Sequence, residues 1–235
     1  MAPSGYCIDV ESELRIDACA DNVFSQVMRT GFYAPGFAVL SFPRPVSPRE
    51  LRRAMVALKR RLSSMLTELR GSALNYQSMG RFDQQNTTKF HLDGSPDEAI
   101  LMLGYEPSRV RSRLFIADYS KCAHVMGLTP REFLEKHNPM FAAGAKLLEP
   151  YVTQVECFNP AISQIVIINN SSRALDGIGL QGVMHQAIID TPDGTLRRVV
   201  NSTMLAVTSD NVELLSEAEQ DAFVESEAIS GAVKY

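Results

Sequence analysis

Short apolar runs separated by turn residues recur through most of this chain, and that spacing constrains its fold more than any other feature. Residues 36–43, 99–105, 113–119, 152–158, 164–170, 182–189 and 196–208 are rich in Val, Ile, Leu and Phe. Most are closed by Gly, Pro, Asn, Asp or Ser, which favour turns for steric and hydrogen-bonding reasons. Six or more short strands of this kind predict a β-sandwich or barrel. With 235 residues, 45% of them hydrophobic, the chain can bury one sizeable core. We therefore expect a single domain, mainly β with helical decoration, an α+β fold.

The helices announce themselves by their starts. Ser47, Pro48 and Glu50 form a capping-box signature with proline at the first helical position, and Leu51, Met55, Leu58, Leu62, Leu66 and Leu69 follow at helical spacing up to Gly71. Arg52, Arg53, Lys59, Arg60 and Arg61 fall outside this stripe and are expected on a solvated face. A shorter helix is expected over residues 21–28. Thr129, Pro130 and Glu132 repeat the start signal, so residues 130–149 read as one or two helices broken near Pro139. The expected plan is an N-terminal strand and helix (1–72, its first 20 residues weakly patterned), a β-core (73–208) with a helical insertion at about 120–149, and an acidic helical tail (209–235). Residues 72–88 read as a polar, irregular loop.

Charge and cysteine usage narrow the setting. A net charge of −4 gives no global pull toward nucleic acid or anionic membranes, and no window is long and apolar enough to span a bilayer. Neither nucleic acid nor membrane is an expected partner. Cys7, Cys19, Cys122 and Cys157 show no paired spacing and are expected as reduced thiols. The first ten residues carry no basic and apolar leader pattern, so the expected location is cytoplasmic.

The chemistry concentrates at Lys89-Phe90-His91-Leu92-Asp93-Gly94. On an extended segment, side chains two residues apart point the same way, so His91 and Asp93 form a bidentate clip for a divalent metal. A third ligand must come from elsewhere. Of the other histidines, His185 lies in an apolar run, whereas His124 and His137 belong to the helical insertion and read as ordinary surface or helix-end residues. Two imidazoles and one carboxylate on one side of a metal leave coordination positions open on the other, the ligand set of non-haem Fe(II) oxygenases.

The order His91-x-Asp93, a long interval, His185 on a late strand and arginine about a dozen residues later resembles the 2-oxoglutarate/Fe(II)-dependent oxygenases. The resemblance covers roughly residues 36–208. It implies a double-stranded β-helix core of jelly-roll or cupin-like type. It also implies Fe(II) held by His91, Asp93 and His185, with 2-oxoglutarate and O2 as cosubstrates. The reaction implied is hydroxylation of a small molecule, such as an amino acid or natural-product intermediate, with release of succinate and CO2. Asp93 argues against halogenation, where the family has a small residue at that position.

An arginine should hold the far carboxylate of 2-oxoglutarate, because a planar guanidinium matches a carboxylate bidentately. Arg197 and Arg198 both qualify. A type I turn at 191–195 with Gly194 left-handed would pair β-strands on either side and turn Arg197 inward, whereas a two-residue loop would turn Arg198 inward. Arg197 is preferred on this register. Val199 and Val200 depart from the arginine-x-serine pattern common in the family. Lys89 shares the parity of His91 and is a candidate for the cavity, with solvent as its other destination. Asn169 and its neighbour Asn170 end an apolar strand and could donate to a bound acid or cap the turn that follows. The competing readings are a cupin-type metalloenzyme without 2-oxoglutarate and a catalytically silent β-barrel that binds a ligand. The loop 72–88 and the insertion are the expected seats of specificity; oligomeric state is open.

Overall fold

The structure, a computed structural model, describes residues 5–11, 16–172, 179–209 and 213–230. After β1 (Cys7–Asp9), α1 (Ile16–Val27) and β2 (Phe37–Phe42), the signature at Ser47 starts α2 (Pro48–Arg70) as expected. Ser47 Oγ accepts from the Glu50 N–H at 3.2 Å, and the Glu50 carboxylate accepts from the Ser47 N–H at 2.6 Å. Gly71 ends the helix at φ 66°, a left-handed conformation that a side chain would strain. Leu51, Leu58, Leu62 and Leu66 of α2 are fully buried against α1 and the sheet, each contributing about 1.5–3 kcal/mol, whereas Leu69 in the last turn is exposed.

The strands form two sheets. The larger contains β1, β2, β3 (Ala73–Asp83), β4 (Ala99–Tyr105), β7 (Ser163–Asn169) and β9 (Val199–Thr208), in the order β1-β2-β7-β4-β9-β3. Only the β1–β2 pair is parallel. The smaller, antiparallel sheet has the order β6-β5-β8, from β5 (Ser112–Ala117), β6 (Val152–Gln154) and β8 (Met184–Ile189).

Side-chain alternation divides the core. Ala38, Leu40, Ile100, Met102, Ile165, Ile167 and Leu205 face α1 and α2. Val39, Leu101, Leu103, Val166, Ile168, Val200 and Met204 face the smaller sheet, meeting Leu114 and Ile116 of β5. The central strands are therefore covered on both faces, which is why they read as unbroken apolar runs.

The helical insertion is α3 (Tyr119–Val125), α4 (Pro130–Lys136) and α5 (Ala142–Leu148), followed by a 3-10 turn at Glu149–Tyr151. Thr129 caps α4 with the expected capping box. Phe133, Leu148, Tyr119 and Met184 pack the insertion onto the end of the smaller sheet, with Phe90 and Leu92 against them.

Several expectations need correction. Residues 72–88 contain the longest strand among the described residues, β3, rather than a loop. Its register with β9 shifts between Tyr76 and Ser78, so a bulge at Gln77 breaks the alternation by which a strand is read. Arg52 and Lys59 are not solvated: Arg52 is 0% exposed and donates to the Val224 and Ser226 carbonyls, and Lys59 pairs with Glu213. Both secure the C-terminal segment containing α6 (Glu217–Glu225), the expected acidic helix. Residues 210–212 and 231–235 of the expected tail, and 1–4 and 12–15 of the weakly patterned N-terminus, lie outside the described residues. Cys7 and Cys157 form a disulfide across 150 residues, while Cys122 is a buried thiol. The disulfide removes the cysteine-based support for a cytoplasmic setting. No described helix is long and apolar enough to cross a membrane.

Candidate metal centre

His185 is carried by β8, paired with β5 opposite Ile116. On its other edge β8 is joined by residues 87–91 through both side-chain and main-chain bonds, the Thr88 N–H donating to the Ala187 carbonyl at 2.9 Å. Thr87 Oγ1 accepts from the Ile189 N–H and Thr88 Oγ1 from the Ala187 N–H, both at 3.0 Å, and Gln186 Nε2 donates to the Thr88 carbonyl at 2.9 Å. The segment closes in an antiparallel bridge, with His91 and His185 exchanging N–H···O bonds of 3.2 Å. Residues opposed in this way carry their side chains on one side of the sheet. The two rings accordingly lie side by side, centroids 4.3 Å apart and tilted by 48°.

Asp93 Oδ1 lies 3.4 Å from His91 Nε2. One donor atom from each of His91, Asp93 and His185 falls within 4.8 Å of the others. His91 Nδ1 lies 2.7 Å from the Lys89 carbonyl, which only accepts, so the neutral ring carries its proton there and keeps the Nε2 lone pair. His185 Nδ1 is buried without a hydrogen-bond partner.

The three groups perturb one another. Burial and the charge of His91 push the His185 imidazole down to about 4, with Asp93 acting the other way, so it is neutral near pH 7. Burial also works against a charged His91, but the hydrogen bond with Asp93, the Lys89 carbonyl and the Asp93 charge together raise it. Burial likewise opposes ionisation of Asp93, and its hydrogen bond with His91 and the two imidazoles outweigh that and hold it low.

Arg198, not Arg197, enters this region. Arg198 is 3% exposed, whereas Arg197 is exposed on the far side. The register expectation fails at its premise: β8 and β9 belong to different sheets, so residues 190–198 cross between layers and no hairpin exists. Gly194 is not left-handed, and the turn is made by Asp193, whose Oδ1 accepts from the Thr195 N–H and Oγ1. Arg198 Nε donates to Ser112 Oγ at 3.0 Å, Nη1 donates to the Gln84 carbonyl at 2.9 Å, and its guanidinium stacks 5.0 Å from the Tyr105 ring centre. Nη2 is buried with no hydrogen-bond partner. Among the described residues no carboxylate pairs with Arg198.

A cavity of 90 Å³ is lined by His91, Asp93, His185, Arg198, Tyr105 and Ser202, among others. A wider opening of 850 Å³ shares His91 and Asp93 with it and is walled by residues 86–89 and 91–94 and by Met140 of the insertion. Lys89 lines the wider opening and donates to the Met140 carbonyl at 2.6 Å, so it takes the outward of its two expected directions. Asn169 is not in the site. It is fully buried, its Nδ2 donating to the Val27 carbonyl and its Oδ1 accepting from the Ser171 N–H, the turn-capping alternative. His124 and His137 also stand apart, beside Phe32 and Phe133. Ser112 and Gln84 were missed. Ser112 shares parity with the apolar Leu114 and Ile116, a signal that could have found it.

No family model matches the chain, and no curated protein is similar to it in sequence. Among solved structures it is similar to the Kdo hydroxylase KdoO in complex with alphaketoglutarate and Fe(III). The identity is 12%, covering 86% of this chain and 88% of that one, at a TM-score of 0.40. The succinate and Fe(III) complex of KdoO is also 12% identical, covering 96% and 99%, at 0.38. These structural neighbours are described as a non-heme Fe(II) alphaketoglutarate dependent dioxygenase, and the His-Asp-His cluster of this chain stands on its own geometry beside them.

Proposed function

We propose that this chain is an Fe(II)- and 2-oxoglutarate-dependent oxygenase acting on a small molecule, built on a double-stranded β-helix core. One observation carries the reading: the His91, Asp93 and His185 donors converge on a cavity whose wall includes a buried, carboxylate-free Arg198 with an unpartnered Nη2. Buried cations are costly unless an anion or several hydrogen bonds compensate them, so Arg198 is set up to receive an acid. The donor set fits Fe(II): two imidazoles and a carboxylate on one side leave the other side for exchangeable ligands. Iron bound there supplies the coupling of O2 reduction to decarboxylation of the 2-oxo acid and oxidation of a C–H bond.

The chain's own residues do the rest. His91, Asp93 and His185 hold the metal. Arg198, fixed by Ser112 and Gln84, orients 2-oxoglutarate by its far carboxylate. Leu103, Val200, Phe82 and Ala187 line the same cavity and keep it poor in water. The wider opening receives the substrate, and the Lys89 bond to the Met140 carbonyl ties its rim to the insertion. The buried guanidinium of Arg198 beside the cluster favours this reading over a cupin-type enzyme without 2-oxoglutarate and over a silent binding protein.

The test is succinate formation from 2-oxoglutarate by aerobic protein with Fe(II). Activity should vanish in His91→Ala and Asp93→Ala. Metal binding without any 2-oxoglutarate consumption would favour the cupin-type reading, and absence of Fe(II) or Mn(II) binding would favour the silent one.

A further inference from the structure

We infer that Asn170 is the positioning residue for the Asp93 carboxylate, an inference that rests on the metal-centre reading above. His91 and Asp93 are two residues apart but have different anchors. His91 is fixed by its main-chain exchange with His185. Strand-like pairing ends at that bridge, and residues 92 and 93 belong to no strand. From there on a side chain replaces the strand. Asn170 Oδ1 accepts from the Asp93 N–H at 3.2 Å, and Asn170 Nδ2 donates to the Asp93 carbonyl at 2.9 Å. A primary amide offers the same donor and acceptor as a peptide group, so this pair of bonds substitutes for a neighbouring strand. Nδ2 also donates to Ser95 Oγ at 2.8 Å, which holds the loop on both sides of Gly94.

The clamp is itself rigid. Asn170 is 0% exposed, directly follows β7, and donates its own N–H to the Ala99 carbonyl at 2.9 Å. β7 is paired on both edges, by β2 and by β4. The side-chain amide makes its N–H···O bonds to residues 93–95 alone, so its loss releases the ligand loop and leaves the sheet register intact. A carboxylate whose main chain is free to swing cannot be held at ligand distance from two imidazoles.

The experiment is calorimetric titration of the metal-free full chain with Mn(II), for wild type, Asn170→Ala, the isosteric Asn170→Asp and Asp93→Ala. Thermal unfolding in EDTA is measured on the same proteins. Groups that orient a metal ligand are worth about 10–100-fold in metal affinity. Both Asn170 variants should lose affinity by about that factor while unfolding in EDTA close to wild type. Asn170→Asp keeps the volume and the acceptor for the Asp93 N–H but sets a carboxylate oxygen against the Asp93 carbonyl, so it decides the matter if Asn170→Ala does not fold. Wild-type affinity in the Asn170 variants, with affinity lost in Asp93→Ala, overturns the inference and leaves the metal reading standing. Destabilisation of both metal-free Asn170 variants in step with lost affinity assigns a structural role and also overturns it. Failure of wild type to bind Mn(II) overturns both.

Discussion

Replacing Arg198 by methionine separates a functional arginine from a structural one, because opposing contributions offset one another in stability but not in ligand affinity. In the absence of ligand, Arg198→Met forfeits the hydrogen bonds to Ser112 Oγ and the Gln84 carbonyl, about 1 kcal/mol each. It also forfeits the stack on Tyr105, about 1–2 kcal/mol. Against that, it removes a 3%-exposed charge that no described carboxylate neutralises, a relief of several kcal/mol. The opposing contributions are of one size, so the metal-free stability should move by no more than about 2 kcal/mol in either direction. Affinity for 2-oxoglutarate has no such offset. Truncating one partner of a buried charge pair costs about 2–5 kcal/mol, or roughly 30-fold to 5,000-fold in Kd. The assay is calorimetric titration of Mn(II)-loaded protein with N-oxalylglycine, an inert analogue of 2-oxoglutarate, beside urea unfolding. Arg197→Met, at an exposed position, should match wild type in both within about 0.5 kcal/mol. Undiminished affinity in Arg198→Met, or an equal loss in Arg197→Met, would refute the assignment.

Three other perturbations test the frame around the site. Mn(II) at a hundred times its Kd should stabilise wild type by about 2.7 kcal/mol, roughly 5–10 °C in Tm, and leave Asp93→Ala unmoved in the same thermal scan. Arg52→Ala removes the donor to the Val224 and Ser226 carbonyls and should lower stability by about 3 kcal/mol. Its 217–230 segment should also become the first site of cleavage in limited proteolysis, which wild type resists. A Cβ at Gly182 would lie 1.9 Å from the Ser171 carbonyl oxygen, so Gly182→Ala should lose about 3 kcal/mol or more by urea unfolding. A wild-type midpoint there would mean that the approach of these two segments is looser than described.

The central strands and the capping boxes at Ser47 and Thr129, two of the three among the described residues, were legible in the sequence because local chemistry alone specifies them. Ser47 and Thr129 cap their helices within three residues, and β4 and β7 need only be apolar to be buried on both faces. Of the His91, Asp93 and His185 cluster, His185 was legible from its apolar strand, whereas Asp93, expected on a strand beside His91, lies beyond the last bridge and is brought there by the distant Asn170. What was lost depends on partners far away in the chain. β3 is polar along much of its length and gains its strand character from β9, with Gln77 bulged between. Cys7, on a β1 that pairs with β2, meets Cys157 from 150 residues away. Arg52 and Lys59 are buried because the C-terminal segment folds back over α2, and nothing near them in sequence signals that.

The arginine register failed for the same reason, and its correction bears on how the site works. A hairpin would have put the late histidine and its arginine on adjacent strands of one sheet. Here they sit on opposite layers: His185, with the 87–93 segment attached to its edge, belongs to the smaller sheet, and Arg198 leads into β9 of the larger. An acid that touches both the metal and Arg198 must therefore span the two sheets. Its fit depends on their separation, which packing between Leu114, Ile116, Val200 and Met204 sets. Ser112 on β5 holds Arg198 from across the gap, so the guanidinium is tied to the sheet that carries His185 as well as to its own. A guanidinium tied to both layers is positioned by the packing of the two sheets together, which a hairpin neighbour within one sheet would not be.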